Sequence, residues 1–559
     1  LAIQKYIQKG RVLTDLIAAK IVPIDDNGNL LNNWIDTKDG KENKPALFSV
    51  LTKEQGVFEI RKALVVWSVR ISVNVDPETW TDKEVQKSWS DYYQSTLLKE
   101  NFCLVTGDVQ KTRESHPAKL TYSGDKAKLI SSKDTSGYTF RGRFETAEEA
   151  SSLSADVSHK AHAALRWLIG RQGIRGEPVT VVWAISGETV PSPLQDSYDY
   201  INNDDDDLAI VETDNTNNRP SESSSQKDWS TNIGKTAAAL IKKKLHGFKA
   251  QLNKHEQISL LMLDSSSAGR MALTYYQEFL PENYFANLDA WVDDFSWYQR
   301  YSRETKDGKK KTKQPIWPIV PPSPYAIYET VYGKVSDRDG KLKKQLYARL
   351  LPVIAGGKNV PIPDDLMQQS FQAACNPFIK YQNKDGEKEQ KNHWQRNIGV
   401  ACALYRGYYA RHHNPSKRRN YPMALDKENN SRDYLYGRLI AQAERLEWYA
   451  LYLQNGKKEP TRATNAERYF QQFAQQPYST WLNLEKSLVP YKNYLISHGK
   501  NFYKQAIGEI MDLFDTEEYK SDAKLTGEFL LGYHCQLMEI ARQVAERQAT
   551  KQKKTEASE

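Results

Sequence analysis

The chain has 559 residues, 39% hydrophobic and 11% aromatic, with 78 Lys and Arg against 70 Asp and Glu for a formal charge of +8. This length allows several domains with real cores, and no apolar run approaches the roughly 20 residues of a membrane-crossing helix, so a soluble protein is expected. Cys103, Cys375, Cys402 and Cys535 stand far apart with no CxxC pairing, which argues against a disulfide framework or a cysteine-built zinc site and points to a reducing cytoplasm.

The opening stretch LAIQKYIQKGRVL has neither an initiator methionine nor a signal peptide's apolar core, so the natural chain is expected to start upstream. Residues 11–24 read as a short helix running into a strand, and KALVVWSVRISV (63–74), rich in β-branched residues, reads as a sheet strand. NFCLVTGDVQKTRESHP (101–117) raises a sharper question because it holds one cysteine and one histidine. Zinc needs three or four compactly spaced ligands, and a thiol nucleophile needs a lowered pKa, whereas the apolar flanks of Cys103 are expected to raise it. A structural, buried cysteine is the expectation, with Thr106-Gly107-Asp108 as a turn in which Gly107 is free to take positive φ.

Residues 154–173 form an amphipathic pattern ending on glycine, a helix carrying His159 and His162 three positions apart. No acidic third ligand accompanies them, so surface or partly packed histidines are expected. PVTVVWAIS (178–186) and ISLLMLDSS (258–266) read as buried strands, and 257–279 as two strands joined by a polar, glycine-containing turn. Residues 199–228 are too rich in Asp, Asn and Ser to bury surface, so a disordered acidic loop is expected. IGKT (233–236) superficially suggests a phosphate loop, but Trp229 stands where the earlier glycine belongs. The cradle of amides is missing, and a helix start remains. Residues 303–324 read as a lysine-dense loop and a proline-stiffened connector.

Past Met423 the texture becomes helical. Leu435, Leu439, Ala443, Leu446, Ala450 and Leu453 recur at helical spacing in 431–454, with Ser431 as N-cap. Further helices are expected at 464–475, 479–497, 500–514 and 523–546, as a small antiparallel bundle. The predicted fold class is therefore α+β: a mixed α/β N-terminal body followed by a C-terminal all-α helical bundle. Its parts are 1–198, the acidic loop 199–228, 229–422 with basic loops, and the bundle 423–559.

Charge distribution carries the functional signal. From Met423 onward 19 Lys and Arg meet 19 Asp and Glu, so the whole positive surplus lies before it and points to a polyanion partner for the body. Three clusters stand out. Arg141 and Arg143 sit beside Tyr138 in SGYTFRGRF. Lys309, Lys310, Lys311 and Lys313 crowd the lysine-dense segment with Arg303 and Lys306. Arg406, Arg411, Lys417, Arg418 and Arg419 interleave with Tyr405, Tyr408 and Tyr409 around His412 and His413. Cations neutralise phosphates and aromatic faces stack on bases, so these residues are the candidate nucleic-acid contacts. The scattered carboxylates, Asp293 and Asp294 among them, form no recognisable two-metal constellation. No catalytic residue, metal or cofactor is predicted. A metal-dependent nuclease and a scaffold with basic patches for solubility remain the alternatives.

CLVTGDVQKTRESHP, AKLISSKDTSGYTFRGRF, SHKAHAALRWLI, VVWAIS, LLMLDSSSAGRMALTYYQEF, YARLLPVIAGGKNVPIPDDL and SRDYLYGRLIAQAERL, in this order, resemble the large subunit of the type I-C CRISPR surveillance complex, Cascade. The resemblance covers nearly the whole chain. It implies a non-catalytic subunit that binds guide crRNA and double-stranded target DNA and reads a short motif beside the target. It also implies neighbours: backbone and guide-end subunits, a small helical subunit, and a separate helicase–nuclease recruited to the complex. In such systems protein reads a few flanking base pairs and base pairing reads the rest. In that family the Cys–His stretch is a fold signature. Relatives begin with a further N-terminal segment, and the acidic loop looks like an insertion. The resemblance further implies that Met423 is a candidate internal start for a separate small subunit.

Overall fold

A computed structural model describes residues 2–35, 44–51, 57–60, 63–69, 78–113, 115–122, 124–132, 143–172, 179–202, 233–267, 269–307, 310–333, 335, 337, 340–379, 387–460 and 462–556. Two compact units divide the chain: residues 1–116 with 131–161, and residues 117–130 with 162–559.

The first unit is built from short elements. Helix α1 (Lys83–Ser95) begins where the Asp82 carboxylate accepts the Glu84 and Val85 N–H groups at 2.8 and 3.3 Å, which satisfies two of the four donors a helix start leaves bare. Strands β1 (Glu100–Phe102) and β2 (Val109–Lys111) pair antiparallel. Their turn closes through Cys103 N–H to Asp108 O and Gly107 N–H to Cys103 O, at 2.8 and 2.9 Å. Gly107 takes the expected positive φ, +76°.

Cys103 is fully buried, and its sulfur accepts the Ser154 N–H at 3.3 Å. Burial alone raises its pKa, but the backbone amides of Ser154, Thr106 and Val105 and the Thr106 hydroxyl outweigh it and lower the thiol to about 6. The expectation of a raised pKa is thus corrected, because apolar flanks do not reveal donors arriving from 51 residues away. Buried His116 pairs through Nδ1 with Ser158 Oγ at 2.8 Å. Cysteine and histidine therefore each tie the stretch to a serine near the start of α2 (Ala155–Gln172). The strand expected at 63–74 is also corrected. Residues 63–69 are irregular, with an isolated Ser68–Glu78 bridge beside the Thr79 N–H and hydroxyl bonds to Trp67 O, and Leu64, Val65 and Val66 are exposed. The remainder of that stretch lies outside the described residues.

In the second unit, β3 (Val179–Ala184), β4 (Ile258–Ser267) and β5 (Arg270–Phe279) form an antiparallel sheet in that order. Strand β4 is buried on both faces. Ile258, Leu260 and Met262 enter one core with α3 (Ile233–Ala250) and α4 (Pro281–Phe295), while Leu261 and Leu263 enter another with Leu120, Ala127 and Ile169. A strand covered on both sides needs an unbroken apolar run, which is why ISLLML lacks alternation. Helix α3 starts at IGKT as expected.

The lysine-dense segment is not a loop. Strands β6 (Tyr301–Asp307) and β7 (Lys310–Ile316) pair as a hairpin that sets Lys310 opposite Asp307 and Lys313 opposite Glu304. The expectation of a loop is corrected at the level of the backbone, which pairs in a regular antiparallel register from Tyr301–Ile316 to Asp307–Lys310. The acidic stretch opens as a helical turn at Asp199–Asn202, and 203–228 lies outside the described residues.

Helix α5 (Glu387–Ala410) leads to the predicted bundle of α6 (Arg432–Gln454), α7 (Asn465–Gln475), α8 (Pro477–Ser497), α9 (Phe502–Met511) and α10 (Gly527–Glu556). α+β is the observed class. Ser431 has the extended N-cap backbone but does not cap; its hydroxyl donates to Glu528 at 2.7 Å. The bundle's core continues across Met423 into α5. Trp394 meets Phe470 edge-on at 5.3 Å, and Trp297 Nε1 donates to His534 Nδ1 at 2.9 Å.

Candidate nucleic-acid interface

Helix α4 ends by presenting carbonyls that no intrahelical N–H can reach. Arg406 on α5 fills that need: its Nη1 donates to the carbonyls of Asp293 and Asp294 at 2.6 and 2.9 Å, and its Nε to Tyr421 O at 3.0 Å. A positive group at a helix C-terminus also complements the macrodipole. Gly407 makes the approach feasible, since a Cβ there would stand 2.1 Å from the Phe295 ring.

Arg411 goes deeper. Its side chain is 0% exposed, with Nε donating to Asp294 Oδ2 at 2.7 Å and Nη1 to Val353 O at 2.7 Å. Its guanidinium lies 5.0 Å from the Phe295 ring centroid. Burial pushes both guanidinium pKa values down, and Asp294 works against that shift in each. Arg406 and Arg411, two of the candidate phosphate contacts, thus both make bonds that hold the fold together. Arg406 is only partly buried, whereas Arg411 is enclosed by carbonyls, a carboxylate and a ring. Tyr405 is likewise buried, packed against Tyr409, Tyr421 and the α carbon side of Gly527.

Beyond Arg411 the same basic run turns outward. His413, Lys417, Arg418 and Arg419 are all exposed. Asn414 organises the turn by accepting Ser416 N–H at 3.0 Å, and Arg418 Nε donates to His412 O at 2.9 Å. The far end is clamped by Glu528 at the start of α10. Its carboxylate accepts the Tyr421 hydroxyl at 2.6 Å and the Ser431 hydroxyl at 2.7 Å, and lies 3.5 Å from Arg419. Arg419 is therefore partly neutralised. Among the described residues, Lys417 and Arg418 have no carboxylate in ion-pair range. Both ends of the loop are fixed to helices, so the backbone that carries these cations is held in place before a partner arrives.

Lys358, absent from the candidates read in the sequence, is another exposed cation, on the segment that meets Arg411. It is exposed two residues before Val360, whose carbonyl also accepts Arg411 Nη1 at 3.3 Å. The overlooked signal is the pair Gly356-Gly357. Gly357 adopts φ +70°, where a Cβ would sit 2.2 Å from Asn287 Oδ1.

The other candidates sit elsewhere. Lys310, Lys311 and Lys313 occupy β7, where Lys311 stands opposite Lys306. Arg143 is exposed with its guanidinium 5.4 Å from the Phe144 ring centroid. Lys309 and Arg141 lie outside the described residues. Of the two helical histidines, His159 is exposed and His162 buried. Among the described residues no three His, Cys, Asp or Glu side chains converge on one point. Chemically, the turn at 413–419 offers clustered exposed positive charge, an arrangement suited to holding a polyanion.

No curated protein matches the chain. A family model described as CRISPR-associated protein (Cas_Csd1) matches residues 2–541.

Proposed function

The chain belongs to the Cas_Csd1 family of CRISPR-associated proteins, and from that premise we propose that it is the non-catalytic large subunit of a type I-C Cascade complex. In this reading it binds guide RNA and target DNA, reads the motif beside the target and helps recruit the helicase–nuclease, in the cytoplasm. The observation that carries the reading is the family match across residues 2–541. The anchored, exposed turn holding Lys417, Arg418 and Arg419 supports it, since phosphate neutralisation supplies most sequence-independent affinity for nucleic acid. No helix among the described residues is long and apolar enough to cross a membrane.

The test is reconstitution with guide RNA and the backbone subunits. Binding of a target duplex with its flanking motif is followed by gel shift over a range of salt, with and without this chain. The expected outcome is motif-dependent binding that requires the chain. Equal affinity and equal motif preference in its absence would sink the proposal. Incubation of the same complex with divalent metal, lacking the helicase–nuclease, is expected to leave the DNA intact.

A further inference from the structure

We propose that residues 117–130 and 162–172 build a stacking platform for single-stranded nucleic acid, centred on the exposed ring of Trp167. The inference rests on the chain being a nucleic-acid-binding subunit, but on none of the residues of the 413–419 turn.

The two segments share a core: Leu120 and Ala127 are buried with Ile169 of α2, and Leu165 and Leu168 pack against them. What remains outside is basic. The segments hold five Lys and Arg against one carboxylate, Asp125. That carboxylate is 4% exposed and engaged, accepting the Thr121 hydroxyl at 2.5 Å and the Ala127 N–H at 2.9 Å. Lys119, Lys126, Arg166 and Arg171 are exposed. Cations crowd these two segments while the one acid within them is turned inward, a pattern complementary to a polyanion.

The surface is also shaped. Arg166 donates through Nε and Nη2 to the carbonyls of Lys119 and Ala118 at 3.1 and 3.0 Å, bracing the loop against the helix. Lys119 is held at φ +60°, a left-handed conformation that a side chain with a Cβ rarely adopts. Strain of this kind persists where surroundings impose it, and it concentrates at functional positions.

The aromatic component decides the class of ligand. Trp167 is 57% exposed and Tyr122 60% exposed, so more than half of each side chain faces solvent beside the cations. The Arg171 guanidinium lies 5.1 Å from the Trp167 ring centroid, so a cation and an exposed ring stand together on this surface. A base can stack there only if it is unpaired, because duplex bases already cover each other. Cationic surfaces with open aromatic rings bind single strands with little sequence preference for this reason. Trp and Arg also anchor protein interfaces, but the excess of positive charge favours a phosphate backbone.

The experiment uses the full chain with fluorescein-labelled dT and rU 20-mers and a duplex of the same length, measured by anisotropy. It is paired with photocrosslinking of a 5-iodouracil oligonucleotide and mapping of the linked peptide. Trp167→Ala is expected to weaken single-strand binding about tenfold. Trp167→Phe should retain most of it, and duplex affinity should change less than about twofold, with unchanged thermal melting in both variants. Crosslinks are expected at Trp167 or Tyr122. The dT and rU arms show which strand the platform prefers, and binding of either supports it. Unchanged affinity in Trp167→Ala, or crosslinks confined to 413–419, would overturn the platform while leaving the nucleic-acid reading standing. A Trp167→Ala variant that loses a protein partner but keeps the oligonucleotide would overturn it in favour of a protein-docking surface. Failure of the unmutated chain to bind or crosslink any nucleic acid, alone and in the complex, would remove both readings.

Discussion

Arg411 and Arg418 lie in one basic run, yet one is enclosed and the other faces water. Replacing Arg411 by Met leaves the Asp294 carboxylate without its charged partner, and breaking a buried pair in this way costs about 3–5 kcal/mol. A clear drop in urea midpoint is expected for that variant. Reversing Lys417, Arg418 and Arg419 to Glu should leave the midpoint nearly unchanged and lower nucleic-acid affinity instead. The slope of log K against log salt should flatten by about two to three. If Arg411→Met melts normally, or the triple reversal melts early, the division between enclosed and exposed arginines is wrong.

His534 gives a second prediction at this scale. It accepts a hydrogen bond from Trp297 Nε1 at 2.9 Å, and burial pushes its pKa down to about 4. An unfolded histidine titrates near 6.5, so the folded state resists protonation. The stability this group contributes is fully present above pH 6.5 and is lost as pH falls toward 4, a change of roughly 3 kcal/mol. The parent chain should therefore lose more stability between pH 7 and pH 4.5 than His534→Gln does. Equal losses in urea titrations at the two pH values would count against this assignment.

At the scale of elements, the crossing of α6 and α10 depends on two glycines. A Cβ on Gly437 would stand 2.1 Å from Phe529 O, and one on Gly532 would stand 2.2 Å from Tyr434 O. Gly437→Ala forces the helices apart and should cost at least the roughly 1–3 kcal/mol typical of overpacking. Gly508 on α9 has open space around it. Gly508→Ala should be neutral or stabilise by up to about 1 kcal/mol, because alanine is the better helix former. Thermal melts of the two single variants check both signs. The β6–β7 hairpin shows the same scale from the sequence side. A run of lysines reads as a solvated loop because charge density along the chain is visible in the sequence, whereas the antiparallel register of the two strands is a pairing that no single stretch reveals.

For the molecule as a whole, the core that passes from α5 into the bundle matters most. Trp297, Trp394, Ile398 and Cys402 share it with Phe470, Phe529 and Tyr533. A fragment of residues 423–559 would carry the helical pattern but uncover the surface that α5 fills. Expressed alone, it is expected to show helical circular dichroism, dye binding to exposed apolar surface and a broad melt, the signature of lost specific packing. A sharp transition matching that of the full chain, without dye binding, would show instead that the bundle closes its own core. Any separate chain starting at Met423 would then have no need of a covering partner.

The sequence by itself determined the elements whose signal is local. Period 3.6 gave the bundle helices, an unbroken apolar run gave β4, and Thr106-Gly107-Asp108 gave the turn, because backbone preference and burial act over a few residues. The tertiary structure alone decided which polar groups meet. Ser154 amide lowers the Cys103 thiol, Asp294 claims Arg411, and the Lys119 carbonyl braces Arg166 beside an uncovered Trp167. A hydrogen bond or ion pair has little net strength in water and a large effect once the surroundings are dry. Which charges are enclosed and which are offered to a partner is therefore set by packing, over sequence separations that no local pattern spans.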